Sequence, residues 1–246
     1  MPSISIDVLR LILEHVDKAD LANICLLNKI CCSCSQDFLY RDIRRDGFLS
    51  TAKVCQTLAE STHLAKRVRS FEITNHDYIE WREWQRWGLQ KSLRNMIYLR
   101  SLRLFCYTDF SDVDGYTFKL VSFASGYFLP GPLLRFLHSQ PSLADVTLGV
   151  SASDDPEFGA TCLPNLTRVT ARFSWLRQLV PNRPVNEVIA YGSMCDSDSA
   201  DLNFFTLSTA PIRKLTIEYS YLYLTPVPLL ASIFPSLTYL KMEIVC

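Results

Sequence analysis

A short apolar pattern recurs along the chain: an apolar residue, two others, an apolar residue, one other, an apolar residue. It falls at Val68-Phe71-Ile73, Leu99-Leu102-Leu104, Leu143-Val146-Leu148, Leu166-Val169-Ala171, Val185-Val188-Ala190, Ile212-Leu215-Ile217 and Leu237-Leu240-Met242. The second and third positions are two residues apart, so in a strand both side chains point to the same face. Apolar pairs at helical spacing precede several triplets, as in Leu93 and Met96, Leu134 and Leu137, Leu176 and Leu179, and Leu230 and Ile233. Pro141, Pro164, Pro184, Pro211 and Pro235 each stand just before a predicted strand. Proline there ends a helix without removing a ladder hydrogen bond.

Successive triplets start 31, 44, 23, 19, 27 and 25 residues apart. Four intervals lie near the period of leucine-rich repeats, and the two long ones predict insertions around Trp81–Trp87 and Asp109–Pro132. Strand then helix, repeated with one hand, predicts that residues 66–246 form an α/β leucine-rich-repeat right-handed solenoid with a parallel sheet. The regular asparagine ladder is mostly missing, so the repeats are degenerate. Leu237–Cys246 reads as a further strand without a polar capping helix. The expectation there is an exposed edge that aggregates or dimerises, or a chain truncated at its C-terminus.

Residues 1–45 have a different pattern. From Asp7 to Val16, Val8, Leu9, Leu11, Ile12, Leu13 and Val16 cover an arc of roughly 200°, twice the stripe of a one-sided surface helix. Asp17 or Asp20 caps a second predicted helix through Leu27, and Asn28 or Ser33 begins a third that runs to about Arg45. Residues 46–65 read as a linking helix. So much apolar surface in so short a unit needs a partner, either the rest of the chain or another protein.

The order Leu9-Arg10-Leu11-Ile12-Leu13, Asp17-Lys18-Ala19-Asp20-Leu21, Cys25-Leu26-Leu27-Asn28-Lys29 and Leu39-Tyr40-Arg41-Asp42-Ile43 resembles the F-box of filamentous fungi. It departs at Ile4-Ser5, where that family has Leu-Pro, at Asp7, and at Leu27-Asn28. The resemblance implies an N-terminal three-helix, all-α F-box at 1–45. Its surface for a Skp-type adaptor, and through it cullin, would comprise Ile4, Leu9, Ile12, Leu13, Leu21 and Leu26. It further implies the substrate-recognition subunit of a Skp–cullin–F-box ubiquitin ligase, itself no enzyme, in the cytoplasm, the nucleus or both. The alternative is an interaction scaffold outside any ligase. A target protein, unidentified from sequence, is expected on the concave face at Arg103, Arg168, Arg172, Tyr191, Lys214 and Tyr239, since Arg and Tyr anchor protein interfaces.

Composition narrows the chemistry. Lys plus Arg is 25 and Asp plus Glu is 25, which argues against a nucleic-acid partner. Charge is uneven: residues 61–105 carry nine basic and four acidic side chains, and residues 106–162 carry seven acidic and two basic. Only eight glycines are present, and no phosphate-cradling, nucleophile-elbow or metalloprotease motif occurs. Nine scattered cysteines do not form a disulfide framework. Cys31 and Cys34 lack a second ligand pair, so neither metal nor cofactor is expected. The best apolar run, Tyr221–Phe234, is broken by Pro226 and Pro228, so neither a membrane span nor a secretory signal is expected. Trp81, Trp84 and Trp87 recur every third residue and are read as rings packed on the repeats rather than as a ligand ladder.

Overall fold

The computed structural model describes residues 4–74, 83–108, 115–128, 130–151, 157–159, 161–191, 202–219 and 227–244. The chain divides into two units: residues 1–103 with 115–118, and residues 104–114 with 119–246.

The first unit runs α1 (Ile6–Leu13), α2 (Lys18–Ile24), α3 (Lys29–Leu39), β1 (Asp42–Arg45), α4 (Phe48–Glu60), α5 (Thr62–Ala65), β2 (Ser70–Ile73), α6 (Glu83–Asn95) and the start of β3 (Ser101–Thr108). Polar caps set the helix starts. The Val8 amide donates to Ser5 Oγ at 3.3 Å and the Cys31 amide to Asn28 Oδ1 at 2.9 Å. Gly47 opens α4 at φ 98°, a conformation that only glycine adopts cheaply. Asn95 on α6 donates to the Leu58 and Ala59 carbonyls at 3.0 and 3.1 Å, satisfying acceptors that the end of α4 leaves open.

The second unit holds the rest of β3, then β4 (Ser122–Phe128), α7 (Pro130–His138), β5 (Asp145–Ser151), β6 (Arg168–Arg172), α8 (Phe173–Leu179), β7 (Glu187–Tyr191), a 3-10 turn (Asn203–Leu207), β8 (Lys214–Tyr219), α9 (Val227–Ile233) and β9 (Tyr239–Ile244). Among the described residues the strands follow one another in sequence order in a nine-stranded sheet. Register is constant from β5 to β9: Val146, Val169, Val188, Leu215 and Leu240 form one apolar row, and Asp145, Arg168, Glu187, Lys214 and Tyr239 the polar row beside it. Every residue of the first six sequence triplets is buried. The seventh is not sealed, with Leu240 37% exposed.

Most of the strands begin in the same way. The carbonyl of the residue before one strand accepts two successive amides of the next. Ala144 O takes Thr167 and Arg168, Thr167 O takes Asn186 and Glu187, and Asn186 O takes Arg213 and Lys214. The rule also holds in the first unit, where Arg41 O takes Arg69 and Ser70, and Arg69 O takes Arg100 and Ser101.

This architecture corrects the expected fold. An all-α three-helix unit followed by a right-handed leucine-rich-repeat solenoid is not what the structure contains; it contains an α/β arrangement on one parallel sheet. The third helix stops at Leu39, and residues 42–45, expected to continue it, form β1, which pairs with β2 through Ile43 and Phe71. The N-terminal segment is therefore not a self-contained helical bundle. Nor does a strand–helix unit repeat regularly: among the described residues, β5 is followed by no helix before β6, and β7 by only the 3-10 turn. The triplets report strands buried on one face, and a parallel sheet accepts any crossover long enough to return the chain. The stretch expected as one insertion from Asp109 to Pro132 contains β4; Phe123 and Ser125 on it and Leu120 just before it are all buried. Trp81 lies outside the described residues. Trp87 is exposed with the Lys91 ammonium 4.7 Å from its ring centre, against the expectation of a buried ring.

Candidate interaction surfaces

α1 to α3 pack around Leu13, Leu21 and Cys34, with Leu9, Val16, Ile24, Phe38 and Leu39 partly buried against them. Only one side of α1 is used. Ile6, Val8, Leu11 and Ile12 remain exposed, as do Leu27 and Ile30, while Ile4 is 67% and Leu26 84% exposed. Ile4, Leu9 and Ile30 line a groove of about 550 Å³ with Asn28, Lys29 and Cys31. An apolar surface of this extent is a candidate interaction site, because proteins seldom leave so many large aliphatic groups together in water.

Of the six expected adaptor residues, Ile4, Ile12 and Leu26 stand on this surface and Leu9 lies half-buried at its base. Leu13 and Leu21 are corrected. At 1% and 2% exposure they form the core that holds the surface in place and cannot touch a partner. The wide apolar arc on α1 was readable, but which part of it turns inward depends on α2 and α3.

In the second unit the polar row across β5 to β8 alternates in sign. Arg168 Nη2 donates to Glu187 Oε2 at 2.9 Å, and Lys214 Nζ lies 3.5 Å from the same oxygen. The hydrogen bond from Arg168 to Glu187, with Asp145 nearby, raises the arginine's pKa. Four residues further along the strands, Arg172, Tyr191, Glu218 and Glu243 are register partners. The Tyr191 hydroxyl donates to the Leu148 carbonyl, and burial pushes its pKa up. The Arg172 guanidinium lies 5.8 Å from the Trp175 ring centre. Five of the six expected target residues thus share one strand face, while Arg103 is exposed on the part of β3 that belongs to the first unit. Tyr239 is 49% exposed.

Sequence reasoning missed Arg183. It is 1% exposed and, among the described residues, pairs with no carboxylate; it donates to the carbonyls of Cys162 at 2.7 Å, Gln178 at 2.6 Å, and Pro181 and Gly159 at 3.0 Å each. Also missed were Gln140 and Gln178, whose side-chain oxygens accept the Leu120 and Phe158 amides at 2.9 and 2.7 Å. No motif marks such residues, since each serves a loop about twenty positions away.

Among the described residues no group of three His, Cys, Asp or Glu side chains is placed to hold a metal ion. No helix among them is long and apolar enough to cross a membrane. The chain is thus an α/β protein on a sequentially ordered parallel sheet, with an exposed apolar surface in one unit and a charged strand face in the other. No protein-family model matches it, and no curated protein matches it.

Proposed function

We propose that the chain is a substrate-recognition subunit of a Skp–cullin–F-box ubiquitin ligase, acting in the cytoplasm or nucleus. The observation that carries this reading is the exposed aliphatic surface around Ile4, Ile12 and Leu26, which falls within the segment resembling an F-box. That surface takes the Skp-type adaptor. The strand face bearing Arg168, Arg172, Tyr191, Lys214 and Tyr239 takes the target, its mixed charges and aromatic groups suiting a protein interface. Catalysis in such an assembly is by proximity: the receptor raises the target's local concentration near a thioester carried by another subunit.

The test is adaptor binding by the full chain and by Ile12→Glu/Leu26→Glu. Both side chains are exposed, so the variant folds, and its affinity falls by about 100-fold as charges enter a desolvated contact. Unchanged affinity would remove the surface from the reading. Adaptor binding without recruitment of cullin would replace the ligase with a scaffold.

A further inference from the structure

In the first unit the residue before each strand is an arginine: Arg41 before β1, Arg69 before β2 and Arg100 before β3. The carbonyl-to-amide bonds that link these positions stack the three arginines in register, at the strand spacing of about 4.8 Å. At the equivalent positions of the second unit stand Val121, Ala144, Thr167 and Asn186 before an arginine returns at Arg213. The fold therefore does not require arginine there. Like charges stacked directly across neighbouring strands are unfavourable.

All three arginines line a cavity of about 810 Å³, together with Lys66 and His63. Asp37, the one carboxylate that lines it, is already engaged by Arg67 and by Arg10, the latter at 3.4 Å, and the exposed Asp42 carboxylate lies 3.9 Å from Arg41. Arg69 is held in place: it donates to the Lys66 and Val68 carbonyls at 2.8 and 3.2 Å, and its guanidinium lies 4.8 Å from the Tyr98 ring centre. The volume is that of a small-ligand site rather than a track for a nucleic acid. Guanidinium forks on a fixed backbone match phosphate oxygens better than they match single point charges.

We propose that this cavity binds a small anion carrying several phosphate groups. Bridging the stacked arginines offsets their mutual repulsion, which a single phosphate cannot do over the whole ladder. The site lies in the first unit alone and does not depend on the ligase reading.

The experiment is calorimetric titration of the full chain at 0.15 M salt with inorganic tripolyphosphate, against orthophosphate and a doubly phosphorylated peptide. The expected result is one tripolyphosphate per chain, bound about tenfold or more tighter than either alternative. Lys66→Gln/Arg100→Gln, both exposed, weakens it about tenfold or more while Arg213→Gln leaves it unchanged. Tripolyphosphate should also raise the melting temperature of the parent and not of the double variant, which shows that a folded variant has lost the ligand. Equal affinity for orthophosphate, multiple weak sites, or a loss shared by Arg213→Gln would overturn the proposal. Tighter binding of the phosphopeptide would overturn it too and move the site to a protein partner.

Discussion

Arg183 offers the sharpest test of what holds the second unit together. Its four donors reach two loops, at Gly159 and Cys162 on one side and at Gln178 and Pro181 on the other. Beside the first loop Leu163 sits at φ 58°, a conformation that costs a branched residue energy and persists only where its surroundings impose it. Arg183→Met keeps the aliphatic stem and removes every donor. Charge-assisted hydrogen bonds contribute about 1.5–3 kcal/mol each, but they share one group and are not additive. Some orphaned carbonyls recover water, so the expected loss is about 4 kcal/mol. Arg183→Lys keeps the charge but cannot span both loops, and should lose about 2 kcal/mol. Urea unfolding followed by tryptophan fluorescence, to which buried Trp175 on α8 contributes, and, separately, by circular dichroism reads both values from the midpoint shift. A methionine variant within about 1 kcal/mol of the parent would refute the reasoning, since it would mean the carbonyls are satisfied without the guanidinium.

Leu13→Ala should destabilise the N-terminal helices by about 3 kcal/mol in a denaturant titration, as for other buried leucines, and under the proposed function should weaken adaptor binding only through unfolding. Gly149→Ala should fail to accumulate as folded protein in a soluble-expression and circular-dichroism assay, because the new Cβ would lie 2.3 Å from the Gly126 carbonyl oxygen, which is backbone. Burial pushes the Cys162 thiol from 9.0 up to about 11. The native state therefore holds this proton more tightly than the unfolded state, and the associated stability is complete below pH 9 and lost as pH rises towards 11. Stability measured against pH should fall less over that window in Cys162→Ala than in the parent, by about 2 kcal/mol.

The strands that the sequence revealed are those whose inward positions are all apolar, such as Leu143-Val146-Leu148. β4 escaped because its third inward position is Ser125, fully buried yet polar by name. β1 escaped because only Ile43 faces inward and its neighbours are charged, so the segment reads as the end of a helix. On α1 the apolar arc was legible, but Leu13 and Ile12 are adjacent and equally greasy, and only the packing of Leu21 and Cys34 separates the buried one from the exposed one. Arg183 was invisible for a similar reason: an arginine between prolines looks like surface until four carbonyls are found around it. The arginines before β1, β2 and β3 were visible only as excess charge, since their alignment requires the register.

Because every strand pairs with its neighbours in the chain, the sheet can be assembled in the order in which it is synthesised. Register partners Asp145, Arg168, Glu187, Lys214 and Tyr239 are separated by 23, 19, 27 and 25 residues. At about 5–20 residues per second, a ribosome delivers the next strand within a few seconds of the last. Each arriving strand finds its template already formed and closes only a short loop to reach it. At any moment the nascent sheet has two open edges, β1 and the newest strand, and only the second moves as the chain grows, so the newly exposed apolar surface is one strand's worth rather than a whole sheet's.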